Sequence, residues 1–169
     1  RVPFLTVLVE VIGFGILIPI VPLLFADPSS RYYLLSSKAS LQTGYILLGA
    51  LIALYPIGQF LATPILGQLS DKYGRKKVIE LSVIGTSISS ALFAVGILTG
   101  NIPLMFASRL VNGLTGGLIS VAQATIADIS SIEDKSKNFG LLGAAFGVGF
   151  MIGPFLGGVL SSGVMPFLD

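Results

Sequence analysis

The chain has 169 residues, of which 53% are hydrophobic and 11% charged, with a formal net charge of +2 and a mean hydropathy of +0.93. An ordinary soluble domain carries roughly 25% charged residues, so the soluble globular class is excluded, and the basic residues sit between apolar stretches and not on a broad positive face, which argues against a nucleic-acid partner. There is no Cys and no His; disulfides and thiolate chemistry are ruled out, the commonest metal ligand is missing, and neither a metal nor another cofactor is expected.

Five stretches, at about 3–25, 43–69, 78–99, 103–127 and 140–160, supply the ~20 predominantly apolar residues that a membrane-crossing helix needs. The first is too long, and too lacking in a small-residue cleavage site, for a signal peptide. It carries Glu10 and runs on through Gly13, Gly15, Pro19 and Pro22. Such interruptions in lipid need neighbours or water to satisfy the freed backbone groups, so this helix is expected to line a cavity, unless Pro19 and Pro22 merely end it. A carboxylate inside a span is expensive, by ~2.5–3.5 kcal/mol on insertion scales, and marks Glu10 as a functional candidate. A polar connection follows at about 26–42.

Between the second and third spans lies Gly67-Gln-Leu-Ser-Asp-Lys-Tyr-Gly-Arg-Lys-Lys77. Short loops rich in Lys and Arg stay on the cytoplasmic side. Arg1, the 72–77 cluster, Lys135 and Lys137 are therefore read as inside and Arg31 and Lys38 as outside. That gives a multi-pass protein of the cell (cytoplasmic or inner) membrane with a cytosolic amino end. On a helix end Gly67 and Asp71 share a face and Asp71 and Arg75 are one turn apart. Asp128, closing Ala124-Thr-Ile-Ala-Asp128, is expected at the same membrane boundary. Lys72, Lys76 and Lys77 read as topology charges alone.

Gly100-Asn-Ile-Pro103 reads as a tight turn that makes the third and fourth spans antiparallel neighbours. Arg109, about six residues inside the fourth span, is its only basic group, and the expense argument applies to it as to Glu10. In the fifth span Gly149, Gly153 and Gly157 recur every four residues, Gly143 and Gly147 form another such pair, and Pro154 lies among them. Small residues at that spacing make a groove for a second helix.

The run from Gly67 to Lys77 resembles, at every characteristic position, the signature between helices two and three of the major facilitator superfamily. Arg109-Leu-Val-Asn-Gly-Leu-Thr-Gly-Gly117 resembles the arginine-glycine motif of its fourth helix, and Gly143 to Gly158, with Gly153-Pro-Phe-Leu-Gly-Gly158, its antiporter motif. The acid, Gly-x-Gly and Pro-x-x-Pro pattern of the first span is similar to tetracycline and multidrug efflux members, with Glu10 where tetracycline exporters usually carry Asp. The resemblance implies an all-α polytopic membrane protein: five transmembrane helices of a major facilitator type N-terminal six-helix bundle, a partial transporter bundle over 1–169 whose sixth helix and C-terminal half lie outside the chain.

It also implies proton-coupled export of a drug-like or small organic compound by antiport, through alternating access, with an antibiotic-resistance role and the proton gradient as energy source. Its partners would be that substrate, protons, the lipid bilayer and the missing C-terminal half. Glu10 and Arg109 are then the proton-coupling candidates. Asp71, Arg75 and Asp128, with Gly67 and Gly74, form the candidate conformational latch, Gly67 admitting a helix of the other half. Gly143, Gly147, Gly149, Gly153, Pro154, Gly157 and Gly158 form the packing motif. Tyr55, Gln59, Asn112, Gln123, Phe146 and Phe150 are candidates for a substrate cavity. A sugar or metabolite symporter or uniporter of the same superfamily, and a non-transporting membrane assembly module, are the alternatives; an enzyme would need convergent catalytic groups that the sequence does not offer.

Overall fold

A computed structural model describes residues 2–36 and 39–162 of the chain; Arg1 and Lys38, both used in the orientation count, lie outside them. The described regular structure is helical: α1 Val2–Phe25, α2 Leu41–Tyr73, α3 Arg75–Thr99, α4 Ile102–Thr115, α5 Leu118–Ile129 and α6 Lys135–Ser161. With α4 and α5 taken as one span, five helices of 23 to 33 residues are long and apolar enough to cross a membrane.

Helix and apolar stretch do not end together. α2 runs on through Asp71 and Lys72 to Tyr73 and α3 begins at Arg75, so the basic connection shrinks to Gly74, at φ 94° and ψ 139°. That backbone is strained for any side chain and natural for glycine. Lys and Arg are good helix formers, so leaving the hydrocarbon is no reason to leave the helix; α6 likewise starts at Lys135 and not near 140. Pro19 and Pro22 do not end α1, which reaches Phe25.

The chain divides into two compact units, residues up to Leu48 with those from Ser136 on, and Gly49–Lys135. In the first unit α1 and α6 meet backbone to backbone. Along α6 the buried residues Leu142, Ala145, Gly149, Gly153 and Gly157 fall three or four apart. A Cβ on Gly153 would stand 2.8 Å from Gly15 Cα, and one on Gly157 2.2 Å from the Ile16 carbonyl oxygen. Phe14 and Phe150 pack edge to face with ring centres 6.3 Å apart. After α1 the chain folds back, the Leu34 amide donating to the Leu24 carbonyl at 3.0 Å. In this connection the Ser29 hydroxyl and amide both donate to Asp27 Oδ1, at 2.6 and 3.0 Å, and hold its carboxyl below the ordinary value.

In the second unit α3 and α4 are joined by Gly100, left-handed at φ 64°, and by Asn101, whose side chain accepts the Leu104 amide at 3.0 Å. Their seam is small and polar. Ser82, Ser89, Ser108 and Asn112 are buried, Asn112 Nδ2 donates to Ser90 Oγ at 3.2 Å, and Thr86 and Thr115 hydroxyls are 3.4 Å apart. A cluster of Val78, Ile79, Leu118 and Val121 lies against Leu66 and Leu69. Bulky apolar side chains stand outside: Phe60 and Ile65 on α2, Leu81 and Leu98 on α3, Met151 and Phe155 on α6. Water would oppose that distribution, whereas in lipid close packing of small residues and internal hydrogen bonds do the associating.

Adding one methyl at Gly157 is expected to lower the thermal midpoint in detergent, by an overpacking penalty of about 1–3 kcal/mol. Gly158→Ala, one position on, where a Cβ meets nothing within 4 Å among the described residues, is expected to leave it level or raise it, since Ala is the better helix former by up to ~1 kcal/mol. The depressed Asp27 carboxyl contributes to its turn above its ordinary value and loses that contribution as pH falls through the lowered one. The Ser29 amide resonance should follow this acid-side titration, and Asp27→Asn should abolish it.

Candidate functional site

Arg75 opens α3 directly after the Gly74 joint, and its three guanidinium nitrogens have three different acceptors. Nη2 meets Asp71 Oδ1 at 2.8 Å on the last turn of α2, and Nε meets Asp128 Oδ2 at 3.1 Å at the end of α5. Nη1 donates to Ser70 Oγ, while the Ser70 hydroxyl donates to the Gly67 carbonyl at 2.7 Å. One cation thus ties α2, α3 and α5 together. Asp71 and Asp128 are 65% and 57% exposed in their side chains, so each ion pair is worth only ~0.2–1 kcal/mol. Ser70 is 2% exposed, and its bond to a charged donor is of the stronger, partly desolvated kind. The buried hydroxyl therefore fixes the guanidinium while the two carboxylates remain free to exchange it.

Sequence reasoning missed Ser70. A signal was available: one turn from Gly67 and one from Gly74, Ser70 is the small polar residue on the inward stripe that Ala62 and Leu66 continue. Gly67 is half-buried and a Cβ there would meet nothing within 4 Å. Of the three lysines read as topology charges, Lys76 reaches Glu80 at 3.6 Å and Lys72 lies 5.2 Å from the Tyr73 ring centre.

Arg109, on α4, is 6% exposed. Its guanidinium carbon lies 5.4 Å from the centres of both the Tyr55 ring on α2 and the Phe93 ring on α3. Two aromatic faces stabilise a desolvated cation by ~2 kcal/mol or more together, and they hold this arginine inside a span. Glu10 is half-buried on α1, between the buried Val7 and Val11.

The cavity candidates divide between the two units, Phe146 and Phe150 in the first and the other four in the second. Tyr55 and Asn112 are buried, and Gln59 Nε2 donates to the Gly116 carbonyl at 2.8 Å; all three are engaged in holding α2, α3 and α4. Gln123 is exposed, Phe146 half-buried, and Phe150 exposed beside Phe14. An open pocket of about 330 Å³ at the end of α1, between Leu23, Asp27, Arg31, Tyr32 and Ser161, contains none of them. In the packing motif Gly149, Gly153 and Gly157 touch α1, Pro154 Cδ lies against Gly15, and Gly143, Gly147 and Gly158 have open space where a Cβ would stand.

The family model described as Major Facilitator Superfamily matches residues 4–167, and the chain belongs to that superfamily, a family of transporters and not of enzymes. It is 39% identical over 157 residues to the class C tetracycline resistance protein of Escherichia coli, covering 93% of this chain and 36% of that protein. It is 34% identical over 159 residues to the quinolone resistance protein NorA of Staphylococcus aureus, covering 92% and 37%. A crystal structure of the human organic anion transporter MFSD10 (TETRAN) superposes with a TM-score of 0.73 at 30% identity, covering 92% of this chain and 40% of that one. The chain thus spans less than half the length of each of these relatives. It is a multi-pass membrane protein related to drug:proton antiporters.

Ser70→Ala is expected to destabilise the protein by about 1 kcal/mol. A double-mutant cycle with Arg75→Ala should give a coupling of about 0.5–1.5 kcal/mol in chemical unfolding. A cycle between Ser70 and Glu80, which share no partner, should give none.

Proposed function

We propose that this chain is part of a proton-coupled secondary transporter that exports a drug-like or small organic compound by antiport through alternating access. The observation that carries this is Arg75, held by Ser70 and shared between Asp71 and Asp128 across three helices. Two weak, solvent-accessible ion pairs on one anchored cation suit a latch that must open in every cycle; a permanent strut would be buried throughout. In this reading the latch faces the cytosol and closes the outward-open state, Gly67 leaves room for a helix of the remaining half, and Gly74 lets the two helix ends turn.

Glu10 is proposed as the proton carrier. A carboxylate is expensive inside a span, so gain or loss of its charge can be tied to a change of conformation. Arg109, desolvated between Tyr55 and Phe93, is proposed to set the local field for coupling. The relatives, tetracycline and quinolone resistance proteins and an organic anion transporter, suggest the compounds to offer first.

In inverted vesicles carrying the complete gene product, a fluorescent panel of tetracyclines, quinolones and organic anions should accumulate only with a proton gradient. Glu10→Gln should abolish gradient-driven accumulation while exchange without a gradient persists. Asp71→Asn should slow both, by about tenfold if the latch contributes ~1.4 kcal/mol to the rate-limiting state. Equilibration of a compound without accumulation, unaffected by the gradient, would replace antiport with uniport, and undiminished transport by Asp71→Asn would remove the latch.

A further inference from the structure

The fourth span is interrupted at Gly116 and Gly117, between the last residue of α4, Thr115, and the first of α5, Leu118. Backbone angles do not require glycine there, with φ −77° and −64°; space does. A Cβ on Gly116 would stand 3.0 Å from the Tyr55 hydroxyl and one on Gly117 2.4 Å from Leu66 Cδ1. α2 therefore lies directly against the interruption. In an unbroken helix the Gly116 carbonyl would take the amide of Ser120. Instead Gln59 Nε2 donates to it at 2.8 Å.

On the α3 side the contact is by packing: a Cβ on Gly85 would stand 2.3 Å from Thr115 Cγ2. Gly117 begins α5 without a side-chain cap. Ser82 lies one turn from Thr86, which meets Thr115, and one turn from Val78 and Ile79, which pack on Leu118 and Val121. It is thus level with the interruption, and its buried hydroxyl has no hydrogen-bond partner among the described residues. The α4 half is fixed to α2 by backbone contact, a Cβ on Gly58 standing 3.0 Å from Gly113 Cα.

The two half-helices carry different groups: α4 holds Arg109, and the last turn of α5 holds Asp128 in the Arg75 network. We propose that Gln59 is a positioning residue whose carboxamide sets the angle at which α5 leaves α4, and so whether Asp128 reaches Arg75. The leverage is large: at 1.5 Å per residue Asp128 lies about 18 Å beyond the interruption, so a swing of about 10° carries it about 3 Å. That is enough to undo a 3.1 Å contact. The hinge would couple the Arg109 half to the latch; the latch role rests on the transporter reading above, the hinge itself does not.

The test uses the complete gene product, spin-labelled at Lys77→Cys and Ser131→Cys, with Gln59→Met, which keeps bulk without a donor, and Gln59→Asn, which keeps the amide one methylene short. Both variants are expected to broaden and shift the distance distribution between the labels in folded, monodisperse protein. Turnover should fall about tenfold, as for the loss of one hydrogen bond, with KM unchanged. A parent-like distance distribution in either folded variant overturns the proposal. So does a raised KM without a distance change, which would make Gln59 a substrate contact. Where the parent moves none of the offered compounds, the distances decide the hinge by themselves and only the transport reading is lost.

Discussion

Helices in lipid gain little from hiding apolar surface, because the surroundings are as apolar as they are. What holds this chain together is closeness: backbones touch where Gly15 faces Gly153 and where Gly58 faces Gly113, and the polar groups brought inside must satisfy one another. Glycine is therefore spent where helices meet, while leucine, isoleucine and phenylalanine go to the outer faces. The α3–α4 seam shows the second half of the rule, with serines, threonines and Asn112 bonded mostly to carbonyls or to each other.

The same economy of contacts gives the two arginines different surroundings. Arg109 is desolvated and stacked on two rings, so moving it means exposing a cation to hydrocarbon. Arg75 has a buried hydroxyl on one side and two water-accessible carboxylates on the other. Its partners can be exchanged for water at small cost. Identical side chains are thus held by opposite kinds of partner.

Much of this was legible in the sequence, and the exceptions share a cause. The five spans, the Gly100–Asn101 turn and the family follow from apolar run length, turn chemistry and motif. The pairing of Arg75 with Asp71 follows from spacing. Helix ends do not, because hydropathy reports where the membrane stops and α2 keeps its backbone ladder through Asp71 and Lys72. Nor does the interruption at Gly116: a Gly-Gly pair inside an apolar run looks the same whether the helix continues or breaks, and the choice is made by Tyr55, Gln59 and Leu66 from another helix. For the same reason the contacts that Tyr55, Gln59 and Asn112 make with neighbouring helices could not be read from their positions in the sequence. Ser70 was hidden by its charged neighbours.

The one-residue joint at Gly74 also bears on how such a protein meets a protease. Lys72, Arg75, Lys76 and Lys77 look like an inviting tryptic loop, and cleavage generally needs an exposed, extended segment. Lys72 lies in the last turn of α2, and the other three form the first turn of α3. The richest run of tryptic sites in the chain is thus presented as helix, so digestion that spares it reports secondary structure and not the side of the membrane on which it lies.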